Sequence, residues 1–237
     1  MKKLIISIGF VLLSVNLTYS QDYHKLLGDT NEWYVFFFEG AFSVKTHVHI
    51  TKGDTVYKES NYKILGYKYM DDTIGFIRED TIERKVYLVP NSTRDSTEIL
   101  LYDFSLKKND SILLQTLNYD SLGYFFVDSV KEINTLAGQR KAIYLRKGWE
   151  IPVWIEGIGT LGNIEYYYTD PEPFNGLLSC YIRNGIMVFQ SEESQYFDEC
   201  YINEEIWGVE EGKIKSTFFH PNPARSEITV NLENEKK

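Results

Sequence analysis

Positive charge is scarce in this chain: 25 Lys and Arg stand against 34 Asp and Glu, a formal net charge of −9. A nucleic-acid binder needs a basic face to neutralise phosphates, so no nucleic-acid partner is expected. Cysteine is nearly missing, with two in 237 residues, which excludes a small disulfide-dense scaffold and a cysteine-rich zinc module. No apolar run reaches the roughly 20 residues that cross a bilayer as a helix, so the mature chain is expected to lack a transmembrane segment. Apolar spacing of three and four residues is also rare, which leaves little room for helix.

What is present is apolar and aromatic. Forty-three per cent of the residues are apolar, and 18 are tyrosine, enough to fill the core of one domain. From about residue 30 the chain offers many short β-rich runs, such as Val44–Ile50, Thr55–Tyr57, Tyr124–Val130, Val153–Ile158 and Ile164–Tyr168. Turn residues separate them, as in Lys52-Gly53-Asp54, Lys108-Asn109-Asp110 and Arg183-Asn184-Gly185. This spacing predicts an all-β fold: a single antiparallel domain of many short strands, sandwich or barrel-like, with little helix. The expected division is a leader over residues 1–20, a β domain over 21–202, a linker over 203–216 and a further unit from 217 to 237.

The two ends read as addresses. Lys2 and Lys3, the apolar stretch Leu4 to Val15, and Thr18-Tyr19-Ser20 before the cut form a secretory signal peptide. Loss of the two lysines with the leader takes the formal charge from −9 to −11. At the other end, aromatic Phe218-Phe219 leads into Pro221-Asn222-Pro223-Ala224, and Ile228, Val230 and Leu232 then alternate as in a strand. This motif resembles the opening of the type A C-terminal sorting domain of the type IX secretion system. The resemblance implies partners in the Sec translocon and the type IX machinery, and a secreted or outer-surface location after periplasmic transit. Such domains continue for several dozen residues, whereas this sequence stops at Lys237, so a truncated sorting domain is expected. Residues 30 to 205, through Ile77-Arg78-Glu79-Asp80, Leu100-Leu101-Tyr102-Asp103-Phe104, Val153-Trp154-Ile155-Glu156-Gly157-Ile158-Gly159 and Leu178-Ser179-Cys180, resemble an uncharacterised family of secreted β-rich proteins. That likeness implies a shared β fold and no activity.

Oxidising transit favours a Cys180–Cys200 disulfide, with two free thiols or a metal site as the alternatives. Gly157-Ile158-Gly159-Thr160-Leu161-Gly162 has the letters of a dinucleotide fingerprint, but the residues after it read as a strand where the fingerprint needs a helix. The glycines are instead expected to bend a strand or admit another backbone, and no cofactor is expected. Strand alternation puts Trp154 and Glu156 on one face, so Glu156 is a candidate general acid beside an aromatic ring, with Asp103 or Glu79 as a second carboxylate. The plainer expectation is an ion pair between Glu156 and a cation such as Arg78 inside the sheet. His47 and His49 share one strand face and are candidate metal ligands; the simpler expectation for that face is solvation, with Val44, Val48 and Ile50 turned inward.

Asp-Thr/Ser-apolar triplets recur, placing Thr55, Thr73, Thr81, Ser111, Ser121 and Ser129 where O-glycosylation by bacteria with type IX secretion falls, or where a turn enters a strand. Exposed aromatics, above all around Tyr166-Tyr167-Tyr168, are candidates for stacking on sugar rings. Together these features give three readings: a non-enzymatic binding or adhesion module for a glycan or envelope protein, a glycosidase-like secreted hydrolase using Glu156, and a structural envelope component.

Overall fold

The computed structural model describes residues 23–38, 43–91, 97–115, 117, 121–148, 152–164, 176–191, 200–201 and 203–205. The leader, residues 165–175 with Tyr166-Tyr167-Tyr168, and the sorting motif Pro221–Ala224 lie outside them. Every element among the described residues is a strand.

Six consecutive strands form a meander: β1 (Asn31–Phe38), β2 (Ser43–Tyr57), β3 (Ser60–Tyr67), β4 (Thr73–Asp80), β5 (Lys85–Pro90) and β6 (Ile99–Asp103). A second meander follows, with β7 (Ser111–Gln115), β8 (Ser121–Thr135), β9 (Gly138–Arg146), β10 (Val153–Ile155) and β11 (Gly159–Thr160). The hairpin of β12 (Leu177–Arg183) and β13 (Ile186–Gln190) then returns to the first sheet and pairs along β1. The result is two antiparallel sheets, ordered β13-β12-β1-β2-β3-β4-β5-β6 and β11-β10-β9-β8-β7. One continuous core joins them, with Trp33, Leu65, Ile77 and Leu88 of the larger sheet and Phe125, Leu145 and Trp154 of the smaller. The domain is therefore an all-β, sandwich-like unit, as the strand spacing predicts.

Alternation explains most of the burial. In β8, Phe125 and Val127 point into the core while Tyr124, Phe126 and Asp128 point out. Each fully buried aromatic side chain is worth about 1.5–3 kcal/mol, and the larger ones find polar partners. Trp33 stacks on Tyr181 with centroids 5.2 Å apart and donates its indole N–H to the Ile158 carbonyl at 2.9 Å.

Several boundaries differ from those read in the sequence. Lys52-Gly53-Asp54 makes no turn; it is a bulge inside β2, which joins Val44–Ile50 to Thr55–Tyr57 as one strand. The turn that does reverse the chain is Lys58-Glu59, both with positive φ, a hairpin geometry achieved without glycine or asparagine. Val153–Ile158 is interrupted after Ile155 by a turn at 156–158. Asn203–Glu205, expected to open a linker, form β14 and pair with Ser43–Lys45 of β2.

Cys180 and Cys200 are joined in a disulfide, with Cα atoms 5.5 Å apart. The bond ties β12 to the segment that leads into β14, and the Ser179 hydroxyl, 3.0 Å from the Cys200 carbonyl, supports the same junction. Replacing both cysteines with alanine is expected to lower unfolding free energy by roughly 3 kcal/mol, as for a closed loop of about this length. Urea unfolding of the double variant beside the oxidised parent measures the difference.

Candidate functional site

The carboxylates Glu79 and Glu156 come from different sheets and meet the same stretch of chain. In β4, Ile77 and Glu79 point to the inner face and Arg78 to the outer. Glu156 follows β10 in the turn that the chain makes at 156–158, and it is almost fully buried. Residues 23–29, which precede β1, run between them. Glu79 accepts hydrogen bonds from the Leu26 amide at 2.7 Å, the Leu27 amide at 2.9 Å and the Tyr23 hydroxyl at 2.6 Å. Glu156 accepts one from the His24 amide at 3.0 Å.

The same segment is held from other sides. The Leu26 carbonyl accepts from the Asn31 side-chain amide at 2.9 Å and the Tyr181 hydroxyl at 2.5 Å, and the Leu26 side chain is completely buried. Gly157, at φ 76°, leaves room for this backbone: a Cβ there would stand 3.0 Å from the His24 carbonyl oxygen. Gly157 of the fingerprint-like run thus admits a crossing chain, whereas Gly159 faces the Tyr102 ring.

Among the described residues, cations lie near the acids without forming short ion pairs to them. Arg140 is buried; its guanidinium stands 3.3 Å from His24 Nε2 and donates to the Gln139 carbonyl. Lys141 donates to the carbonyls of Phe104 at 2.7 Å and Leu106 at 2.8 Å, fastening the crossover between the sheets. Burial pushes the Lys141 ammonium below the ordinary lysine value, with Glu156 pulling the other way. Burial, then the charge and hydrogen bond of Glu79, drive the Tyr23 hydroxyl far above the ordinary tyrosine value, so it stays a proton donor.

This arrangement corrects two expectations. Glu156 does not pair with Arg78, because Arg78 lies on the opposite face of its sheet. There it forms a bidentate pair with Glu98 and stacks 4.2 Å from the Tyr87 ring centroid. Asp103, the other candidate acid, accepts from the Ser105 amide at 2.9 Å and its hydroxyl at 2.5 Å, and serves the turn after β6.

His47 and His49 do share a face, but it is the inner one. His49 is fully buried with its ring 5.1 Å from that of Tyr67, and the His47 ring lies 4.4 Å from Phe37. Directly opposite them in β1 stand the buried core residues Val35 and Trp33, so this face is turned to the core and not to solvent, and Val44 and Val48 are buried on the other side. Among the described residues no three His, Cys, Asp or Glu side chains converge as a metal site. Of the triplet hydroxyl residues, Thr81, Ser111 and Ser121 are exposed, whereas Thr55, Thr73 and Ser129 are half-buried. Asp80 accepts from the Ile82 and Glu83 amides, which is turn chemistry beside the exposed Thr81.

A second surface was missed in the sequence. On the outer face of the smaller sheet, Tyr124 and Phe126 of β8 are 61% and 58% exposed, with Leu113 of β7 directly beside Tyr124 in register. They border a shallow depression of about 740 Å3 whose walls include Lys108, Lys131, Arg146 and Lys147. The alternation of Tyr124-Phe125-Phe126 contained the signal; only the third dimension says which face is covered.

No protein-family model matches the chain, and comparison with the curated proteins and with the solved structures returned no match.

Glu79→Ala is expected to cost about 3 kcal/mol, since it leaves two main-chain amides and a hydroxyl without their acceptor. Glu98→Ala, which opens a partly exposed ion pair, should cost about 1 kcal/mol or less. Chemical denaturation of the two variants side by side tests this ranking.

Proposed function

We propose that this protein is exported by the type IX secretion system and acts at the cell surface or outside it as a non-enzymatic binding module. Its contact surface is the outer face of the five-stranded sheet, and its ligand is a glycan. One observation carries the reading: two large aromatic side chains, Tyr124 and Phe126, stand exposed on a rigid strand among basic side chains. A sheet selects aromatics for burial, and large exposed ones grouped on one face mark recognition surfaces. Export is supported by the leader, by the Pro221-Asn222-Pro223-Ala224 motif and by the Cys180–Cys200 bond.

A glycosidase-like hydrolase has less to rest on. Such an enzyme needs two carboxylates reaching a sugar across a cleft, whereas Glu79 and Glu156 are engaged with main-chain amides, and neither borders the depression.

Replacing Tyr124 and Phe126 together with alanine should weaken retention on the polysaccharide that the parent binds by about tenfold, or 1.4 kcal/mol. The melting temperature should hold, because neither ring is in the core. Affinity electrophoresis reads the first and calorimetry the second; unchanged retention would sink the proposal. For export, a chain ending before Ser216 in a host with type IX secretion should accumulate in the periplasm rather than reach the surface or medium, as read by fractionation and blotting.

A further inference from the structure

We infer that the glycan held by this face is anionic, a polymer whose carboxylates or sulfates meet the basic side chains while its sugar rings stack on Tyr124 and Phe126. This rests on the binding reading above and adds the chemical class of the ligand.

Charge complementarity supports it. The chain as a whole carries −9, yet the walls of this depression bring together Lys108, Lys131, Arg146 and Lys147 against one carboxylate, Asp128. A local reversal of sign on an acidic protein focuses anions to that spot. One of the cations is also held in place: the Lys131 ammonium stands 4.8 Å from the Tyr144 ring centroid. Lys147 borders the depression, but its ammonium is engaged with the Leu122 carbonyl beside the inward-facing Phe125 ring. Side chains positioned before binding lose less rotamer freedom when a ligand arrives.

Asp128 is a weak competitor. It approaches Arg146 at 3.9 Å, with both side chains more than half exposed, and such pairs are worth about 0–1 kcal/mol. A ligand carboxylate can replace it at little cost.

The rings set the other half of the ligand. Tyr124 and Phe126 are two residues apart on one strand, so their Cα atoms stand roughly 7 Å apart on the same side, a spacing suited to neighbouring sugars of a chain. Nucleic acid is disfavoured: it carries one charge per roughly 1.7 Å of duplex axis and would meet the repulsion of the remaining acidic surface.

The test compares polygalacturonate with its fully methyl-esterified form, the same sugar chain with its charge masked, and with a single-stranded oligonucleotide, all against the exported chain. The acid polymer should bind at least tenfold more tightly than the ester at 50 mM salt, and the advantage should shrink at 200 mM. Lys131→Gln with Arg146→Gln should remove most of that advantage, whereas Tyr124→Ala with Phe126→Ala should weaken binding of both polymers. Equal binding of acid and ester, with no response to salt, overturns the anionic class while the glycan-binding reading stands. Tighter binding of the oligonucleotide, or no binding of polygalacturonate, also overturns it. Loss of ring dependence for every polymer overturns the parent reading as well.

Discussion

The contact on which the rest depends is the grip of two carboxylates, the buried Glu156 and the half-buried Glu79, on the backbone of residues 23–27. Glu79 belongs to the larger sheet and Glu156 follows a strand of the smaller, so the amides between them stitch the two layers together. A carboxylate in a protein interior is costly unless its oxygens are satisfied, and amide donors satisfy them without a second buried charge. Leu26 completes the junction by entering the core while its carbonyl is held by Asn31 and Tyr181. The first described residues are therefore a structural part of the fold, and the acids that most resemble catalytic groups are spent on holding them.

That outcome shows where a one-dimensional reading stops. The all-β class followed from strand spacing, and Asn184-Gly185 supplied a turn with both residues at positive φ. The cysteine pair was expected on the reading that the chain is exported, and the Cys180–Cys200 bond is present. The partner of Glu156 did not follow, because a main-chain amide has no letter: nothing in the sequence marks the backbone of His24 as the donor that an acid 132 residues away will meet. Arg78 offered a visible cation and was the natural choice, yet strand parity puts it on the outside next to Glu98.

The histidines illustrate a related limit. Alternation fixes which residues share a face and says nothing about which face is covered. Assigning Val44, Val48 and Ile50 to the interior turned His47 and His49 outward; in fact both sides of β2 are largely covered, with Trp33, Val35 and His49 on one and Phe36, Val44 and Val48 on the other. The reverse holds for Tyr124 and Phe126, whose aromatic character suggested core, while the edge position of β7 and the outward side of β8 leave them in water.

The two sites divide the labour of the fold. At the seam every carboxylate oxygen that accepts an amide contributes to stability, so a change there is felt as unfolding and is poorly placed to be tuned for a ligand. The outer face of the smaller sheet is different: its inward residues Phe125, Val127 and Leu145 fix the strands, and Tyr124 and Phe126 on its outward side stay out of the core. Side chains there can vary in charge and aromatic content while the backbone that presents them stays rigid. A rigid strand also sets the spacing of Tyr124 and Phe126 before any ligand arrives, which lowers the ordering cost of binding. Recognition on such a module belongs on the face that the core supports and does not use.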